Sequence, residues 1–312
     1  MIHEDVSVLR HASRELVREL GFLQAKDAAT TISHSHCHAL IEVEARGTIA
    51  QSELPALLRL DKSTTSRIVA ELTRRGWVKA RTSSEDGRAR VLTLTSAGRT
   101  KVAQVHREAN ARVTGALDLL STEERDVVVR GMQAYARALE RSRRRAAYTI
   151  RRATAADREA LATLIRTVMP EFGASGPGFA IMDPEVDDMP AAYRSDRSDY
   201  FVVVRGGDEG GVHVVGGGGF APLDGGPDDT CELRKMYFYP EVRGLGIGQE
   251  MLSRCIDGAR RAGFERMYLE TLARMRAARA LYERNGFARL EGPIGKTGHF
   301  GCDAYYARAL TT

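Results

Sequence analysis

Residues 231–259 read CELRKMYFYPEVRGLGIGQEMLSRCIDGA. Cys231–Tyr239 reads as a strand and Gly246–Ala262 as a helix, joined by Arg243-Gly244-Leu245-Gly246-Ile247-Gly248. Glycines let a backbone come close to a ligand, and the free amides of a helix N-terminus grip a pyrophosphate. A dinucleotide-binding G-x-G-x-x-G has another spacing and needs an acid about 20 residues further on. A P-loop needs Lys-Ser/Thr after its last glycine, and none is present.

Outward from this stretch the chain alternates. Strands are predicted at Tyr148–Arg152, Tyr200–Val204, Val212–Ala221, Met267–Thr271, Ala288–Leu290 and Tyr305–Ala309, with helices at Ala155–Val168 and Met275–Asn285. Before residue 145 glycines are few, and the pattern is helical: Val6–Leu23, Ser35–Arg46, Gln51–Arg59, Lys62–Arg75, Ser96–Leu120 and Thr122–Arg144. Asp61 is placed to cap the fourth of these. Trp77–Arg81 and Ala89–Thr95 read as a hairpin around Ser83–Gly87. A length of 312 residues suits two domains, and the composition shift predicts them at 1–145 and 146–312.

Charge divides the same way. Residues 1–147 carry 25 Lys/Arg against 18 Asp/Glu, and residues 148–312 carry 21 against 23, so the first half is the candidate for nucleic acid. No apolar run is long enough for a membrane span, and the first residues lack a secretory h-region. Cys37, Cys231, Cys255 and Cys302 are scattered, which fits reduced thiols in a cytoplasm. His34 and His38 stand four apart with Cys37 between, a spacing that suits a metal or thiol sensor. No further ligand lies near in sequence, so Cys37 equally reads as a small buried helix residue and no metal site is assigned.

In the basic half, a short helix, a tight turn and Lys62–Arg75 form a helix-turn-helix. The second helix presents Ser63, Thr64, Thr65, Ser66 and Arg67 at its N-terminal end, small hydroxyls that let it sit deep in a major groove. A serine-rich helix start also serves as a cap. Arg88 and Arg90 lie on the hairpin, where Arg88 suits a minor groove with Asp86 steadying it. Residues 52–99 resemble the MarR family of winged-helix regulators in the recognition helix and in the D-x-R wing (Asp86, Arg88). That resemblance implies a homodimer paired through the first and the last two helices, bound to a pseudo-palindromic DNA operator.

The second half is similar to the GNAT acetyltransferases. The resemblance rests on R-x-x-G-x-G after a strand, on Ala280-Leu281-Tyr282-Glu283-Arg284-Asn285-Gly286-Phe287, and on the opening Tyr148–Asp157. It implies an α/β (α+β) fold with a central mixed, mostly antiparallel sheet, and acetyl-CoA as co-substrate. Acetyl-CoA is then expected on Met236, Tyr237 and Phe238, on residues 243–248, namely Arg243, Gly244, Leu245, Gly246, Ile247 and Gly248, and on Tyr282. An attacking amine must lose a proton, for which Glu232 is the candidate base and Glu270 its rival. Glu232 also reads as a structural partner of Arg234 or Lys235. Tyr282 falls where the family has a general acid for the leaving thiolate, though it also reads as a core aromatic. A backbone N–H near Tyr237 or Phe238 would hold the oxyanion. Met275 stands where these enzymes often carry an Asn, which removes one cofactor contact. Asp183–Asp188 reads as an acidic lining or a solvated loop, and Gly298–Asp303 as the far wall of a site. Direct transfer leaves Cys302 no nucleophilic role.

These readings converge on a DNA-binding regulator fused to an N-acetyltransferase acting on an amino acid or small amine. A non-catalytic acetyl-CoA or ligand sensor and a protein lysine acetyltransferase stand as alternatives.

Overall fold

The computed structural model describes residues 2–23, 32–82, 89–206 and 212–310. The chain divides into two compact units, Met1–Val129 and Arg130–Thr312, and the dividing point lies inside one long helix, α6 (Thr122–Arg145). The boundary expected at 145 falls at the C-terminal end of that helix.

The first unit follows the order α1 (Ile2–Glu19), α2 (His34–Arg46), β1 (Thr48–Ala50), α3 (Leu54–Leu58), α4 (Lys62–Arg74), β2 (Val78–Thr82), β3 (Arg90–Leu94) and α5 (Ser96–Leu117), followed by α6. Its antiparallel sheet has the order β1-β3-β2. The strand β1 is invisible to periodicity because three residues carry no usable alternation. Leu40, Leu54, Leu72, Leu92 and Val102 form the centre of the core. Asp61 caps α4, accepting from the Ser63 hydroxyl at 2.6 Å and the Thr64 amide at 2.8 Å, and these bonds hold its carboxyl far below the usual carboxylate range. α6 buries none of its residues, leaving Val127, Val128, Val129, Met132 and Leu139 exposed, and Val6, Leu9, Leu16 and Val17 of α1 are exposed as well.

In the second unit seven strands form one sheet in the order β4-β5-β6-β7-β8-β10-β9. The strands are β4 (Tyr148–Arg152), β5 (Asp199–Gly206), β6 (Val212–Pro222), β7 (Thr230–Phe238), β8 (Arg266–Thr271), β9 (Ala288–Leu290) and β10 (Ala304–Ala309). Every neighbouring pair is antiparallel except β7 and β8. This is the mixed, mostly antiparallel sheet that the sequence implies. Side chains alternate across it: Val203 enters a core cluster with Met251, Leu252 and Cys255 of α9 (Ile247–Arg261), while Val202 and Val204 enter another with Leu161, Leu164 and Ile165 of α7 (Arg158–Glu171). The two helices therefore cover opposite faces. Asp157, just before α7, is buried and accepts both Arg151 nitrogens at 2.7 and 2.8 Å, with two further bonds from Thr154. Burial alone would raise its carboxyl, but these donors outweigh it and hold the group below its usual range.

Two irregularities of β7 shape the space beside it. Gly217 pairs with Tyr237 while Gly219 pairs with Arg234, so Gly218 faces two residues of β7. That bulge puts Lys235 in the left-handed region at φ 49° and shifts the alternation. Leu233, Met236 and Phe238 pack against the α9 cluster, and Tyr237 against the α7 cluster. Gly216 is required beside it, because a Cβ there would lie 2.3 Å from Phe238 Cδ1. The second irregularity is the β7–β8 pairing, which ends at Glu232 opposite Tyr268 although both strands run on. Past that point the two strands part and a cleft opens between them.

Candidate active site

The cleft beyond Glu232 holds two adjoining spaces. The larger, about 390 Å³, is lined by Met236, Tyr237, Phe238, Arg243, Gly244 and Gly248 together with Arg274–Ala278, Leu281 and Phe172. Its floor is the glycine loop. Gly244 and Gly246 take φ of 76° and 82°, which an L side chain rarely adopts. Gly246 precedes α9 with no side-chain cap, so the first amides of the helix remain available to an anion. Leu245 and Ile247 point the other way, into the core, and anchor the loop. Arg243 is already engaged: it donates to Phe238 O at 2.9 Å and pairs with Glu171 at 2.8 Å. It therefore ties the loop to the end of β7. Of the expected cofactor residues, Met236, Tyr237, Phe238, Arg243, Gly244 and Gly248 line this space, whereas Leu245, Gly246 and Ile247 do not.

The smaller space, about 60 Å³, shares Phe172, Met236, Tyr237 and Met275 with the larger one and is lined beyond them by Glu232, Arg234, Lys235, Glu270, Tyr282, His299 and Cys302. All three expected catalytic side chains meet here. Glu232 is 3% exposed and accepts from Arg234 Nε at 2.6 Å, the structural partnership that sequence left open. Among the described residues Glu270 has no Lys or Arg in an ion pair with it. Its Oε1 accepts from Tyr268 at 2.9 Å and from Thr297 at 2.8 Å, and His299 Nδ1 stands 4.0 Å from its Oε2. Burial, with the charge of Glu232 adding to it, raises Glu270 above the usual carboxylate range against those two donors. Tyr282 is 6% exposed, and its hydroxyl has no hydrogen-bond partner among the described residues. Burial pushes it well above the ordinary tyrosine range, so it is protonated at neutral pH.

His299 is the residue whose part sequence does not disclose. The glycines beside it mark only a loop, and nothing in sequence ties it to Asp183, 116 positions away. Its Nε2 lies 3.0 Å from Asp183, and its Nδ1 faces Glu232 at 3.9 Å as well as Glu270. Burial opposes its charge, but the bond to Asp183 and the charges of Asp183 and Glu232 outweigh it and raise the imidazole above its usual range. The acidic segment splits in two. Asp183 and Glu185 turn inward onto Lys235, whereas Asp187 and Asp188 pair with Arg166 and Arg158 at the surface. Burial pushes the Cys302 thiol up to about 12, so it is no nucleophile at neutral pH.

In the first unit Ser63, Ser66 and Arg67 are exposed along the start of α4, Thr64 is half-buried, and Arg90 is exposed on β3. Thr65 departs from expectation. It is 1% exposed and bonded to Asp61 O at 3.0 Å, so its side chain belongs to the core and does not face DNA. Composition makes the stretch from Ser63 to Arg67 look like one exposed turn, but the helical period points one of its side chains inward. Asp86 and Arg88 lie outside the described residues. His34 bonds Gly21 O at 2.9 Å, Phe22 packs on His34 and His38, and Cys37 is buried. Among the described residues no group of three or more His, Cys, Asp or Glu could hold a metal, and no helix is long and apolar enough to cross a membrane.

Comparison with known proteins agrees with this geometry. Residues 163–287 match the acetyltransferase (GNAT) family, and residues 30–89 match the MarR family. The chain is 41% identical over 162 residues to the N-acetyltransferase YjgM of Escherichia coli, covering 52% of this chain and 94% of that protein. It is 29% identical over 98 residues to the HTH-type transcriptional regulator YfiV of Bacillus subtilis, covering 31% and 61%. Among solved structures, a GNAT acetyltransferase of Staphylococcus aureus aligns with 53% of this chain and all of its own, at 20% identity and a TM-score of 0.45. A glycine loop opening a helix, strands that part beside it and a buried carboxylate at their fork thus have a family: the chain belongs to the GNAT N-acetyltransferases, and ahead of that part residues 30–89 are similar to the MarR family.

Proposed function

We propose that the chain both binds operator DNA and transfers the acetyl group of acetyl-CoA to a small primary amine by direct attack. One observation carries the enzymatic half: the small space bearing Glu270, His299 and Tyr282 shares the wall residues Phe172, Met236, Tyr237 and Met275 with the loop-floored cleft. Acetyl-CoA laid along the cleft, its pyrophosphate on the amides of residues 247–249, would present its thioester at that junction.

Glu270 is the better base of the two candidates, since Glu232 spends its charge on Arg234 and Glu270 has no such partner. Glu270 takes one proton from the ammonium, and His299 beside it passes that proton on. The freed nitrogen pair forms a C–N bond to the thioester carbon as the C–S bond breaks. Tyr282 protonates the departing thiolate and is restored by the second nitrogen proton. A backbone N–H of β7 near Tyr237 or Phe238 would steady the oxyanion. The enclosed size of the acceptor space supports a small molecule over a protein lysine.

The regulatory half rests on Ser63, Thr64, Ser66 and Arg67 along one exposed helix start with Arg90 nearby in the wing strand pair. The uncovered apolar faces of α1 and α6 support a homodimer paired through α1, α5 and α6, which would read two half-sites. A cavity of about 240 Å³ between Phe22, His38, Ile41, Val105 and Glu108 offers an effector a place. Such a protein works in the cytoplasm, where DNA and acetyl-CoA meet. Thiol release from acetyl-CoA against a panel of amines, amino acids and lysine peptides tests the enzyme, with release on small amines expected. Release only on peptides would replace the small acceptor by protein lysine. No release anywhere, with acetyl-CoA still bound in calorimetry, would leave a sensor. Operator binding at matched salt, weakened about tenfold or more by Arg67→Ala, tests the regulator.

A further inference from the structure

The acceptor space is short of positive charge. Glu232 and Glu270 line it together with two permanent cations, Arg234 and Lys235, while behind the lining Asp183 and Glu185 bear on those cations, so the network around the space holds four carboxylates against two permanent cations. Both cations are spent. Arg234 donates to Glu232 and to Pro222 O and lies 3.7 Å from Glu185, while Lys235, with a side chain 2% exposed, is held by Asp183 and Glu185. Protonating His299 adds one positive charge and still leaves an excess of carboxylate. The side chain of Glu270 is 3% exposed, and its Oε2 has no hydrogen-bond donor among the described residues. Beside it the Tyr282 hydroxyl is likewise without a hydrogen-bond partner among the described residues. A largely desolvated carboxylate is costly unless paired, and a cation is the partner such a wall favours.

We infer that the acceptor enters as an ammonium, docking on Glu270 Oε2 beside His299, and that it carries no carboxylate next to its amine. This rests on the transferase reading and narrows it. An α-amino acid would bring its own carboxylate within a few ångströms of Glu232 and Glu270. It would find no free arginine or lysine among the residues lining the space to offset that repulsion. The apolar lining from Met169, Phe172 and Phe179 suits an aliphatic or aromatic remainder. Simple amines, including those left when amino acids lose carbon dioxide, have the required chemistry.

The test compares matched pairs that differ only in the carboxylate: isobutylamine against valine, and butylamine against norvaline. Each is titrated by calorimetry into the full-length protein saturated with coenzyme A, so that no reaction is needed for the readout. Each amine is expected to bind about 100-fold more tightly than its amino acid. Glu270→Gln is expected to weaken the amine and erase most of that preference. Equal or tighter binding of the amino acids, or no binding by either member of both pairs, overturns the inference. Thiol release with acetyl-CoA is then read separately. Selective amine binding without release would uphold the ammonium site while removing the transferase reading.

Discussion

The two ends of the active cleft are built from different materials. The end proposed for acetyl-CoA is largely backbone: glycines at positive φ, uncapped amides at the start of α9 and a strand edge freed where β7 leaves β8. The acceptor end is side chain: Glu232 from β7, Glu270 from β8, His299 and Thr297 from the loop before β10, and Asp183 from a turn preceding the sheet's second strand. Backbone recognition of a pyrophosphate can be written in one short stretch of sequence. An acceptor pocket of charged side chains is assembled from segments more than 100 residues apart, so a side chain there can be changed without altering the loop. Changes at the acceptor end should cut the rate while leaving acetyl-CoA affinity alone, and changes at the loop should do the reverse.

The largest effect is expected at Glu270. Glu270→Gln should lower kcat/KM for the amine about 1,000-fold, with acetyl-CoA affinity unchanged by calorimetry. Because burial raises the Glu270 carboxyl, the wild-type rate should climb with pH through that raised value, and the variant should lose this limb. The sign for folding is opposite. A carboxyl raised in the folded state stabilises at low pH, and this is lost as pH rises through the raised value, so Glu270→Gln should not melt earlier than wild type at pH 8. Early melting would mark Glu270 as structural.

Tyr282→Phe comes next, with an expected fall of about 100-fold in kcat and little change in KM. An unchanged rate would return Tyr282 to the core aromatics with Phe287 and Tyr306. At the other end, Gly246→Ala forces a Cβ into φ 82°, where the left-handed conformation costs about 1–2 kcal/mol. Acetyl-CoA binding should weaken about tenfold, with kcat at saturation little changed. The smallest effect is a displacement in pH. Glu270 is faced by Tyr268, Thr297, Glu232, Cys302, Tyr305 and His299, with Asp183 and Lys235 behind the imidazole. Only His299 lowers Glu270 by its charge among these, so His299→Gln should move the rising limb to higher pH. No movement would detach His299 from the reaction.

The same contrast explains what could be read in advance. Each regular strand of the second unit was legible, because β-alternation and glycine punctuation are local signals, and the glycines of 244–248 marked the turn that takes positive φ at Gly244 and Gly246. The cap at Asp61 was legible for the same reason, since its donors lie two and three residues away. Choosing between Glu232 and Glu270 was not. The preference rests on Arg234 pairing with Glu232 and on the donors around Glu270, of which Thr297 lies 27 positions away. The role of His299 needs a contact spanning 116 positions. Thr65 fails for the complementary reason: composition marked an exposed hydroxyl cluster, while helical phase turned that one side chain into the core.

The most direct test is single-turnover chemistry. Full-length protein loaded with acetyl-CoA is mixed with isobutylamine and quenched at intervals, and the acetyl group is traced by mass spectrometry. Direct transfer to the amine requires N-acetyl product and free coenzyme A to rise together, with no acetylated protein at any time. Coenzyme A release independent of the amine, acetyl appearing first on the protein, or bound acetyl-CoA that never turns over would contradict it.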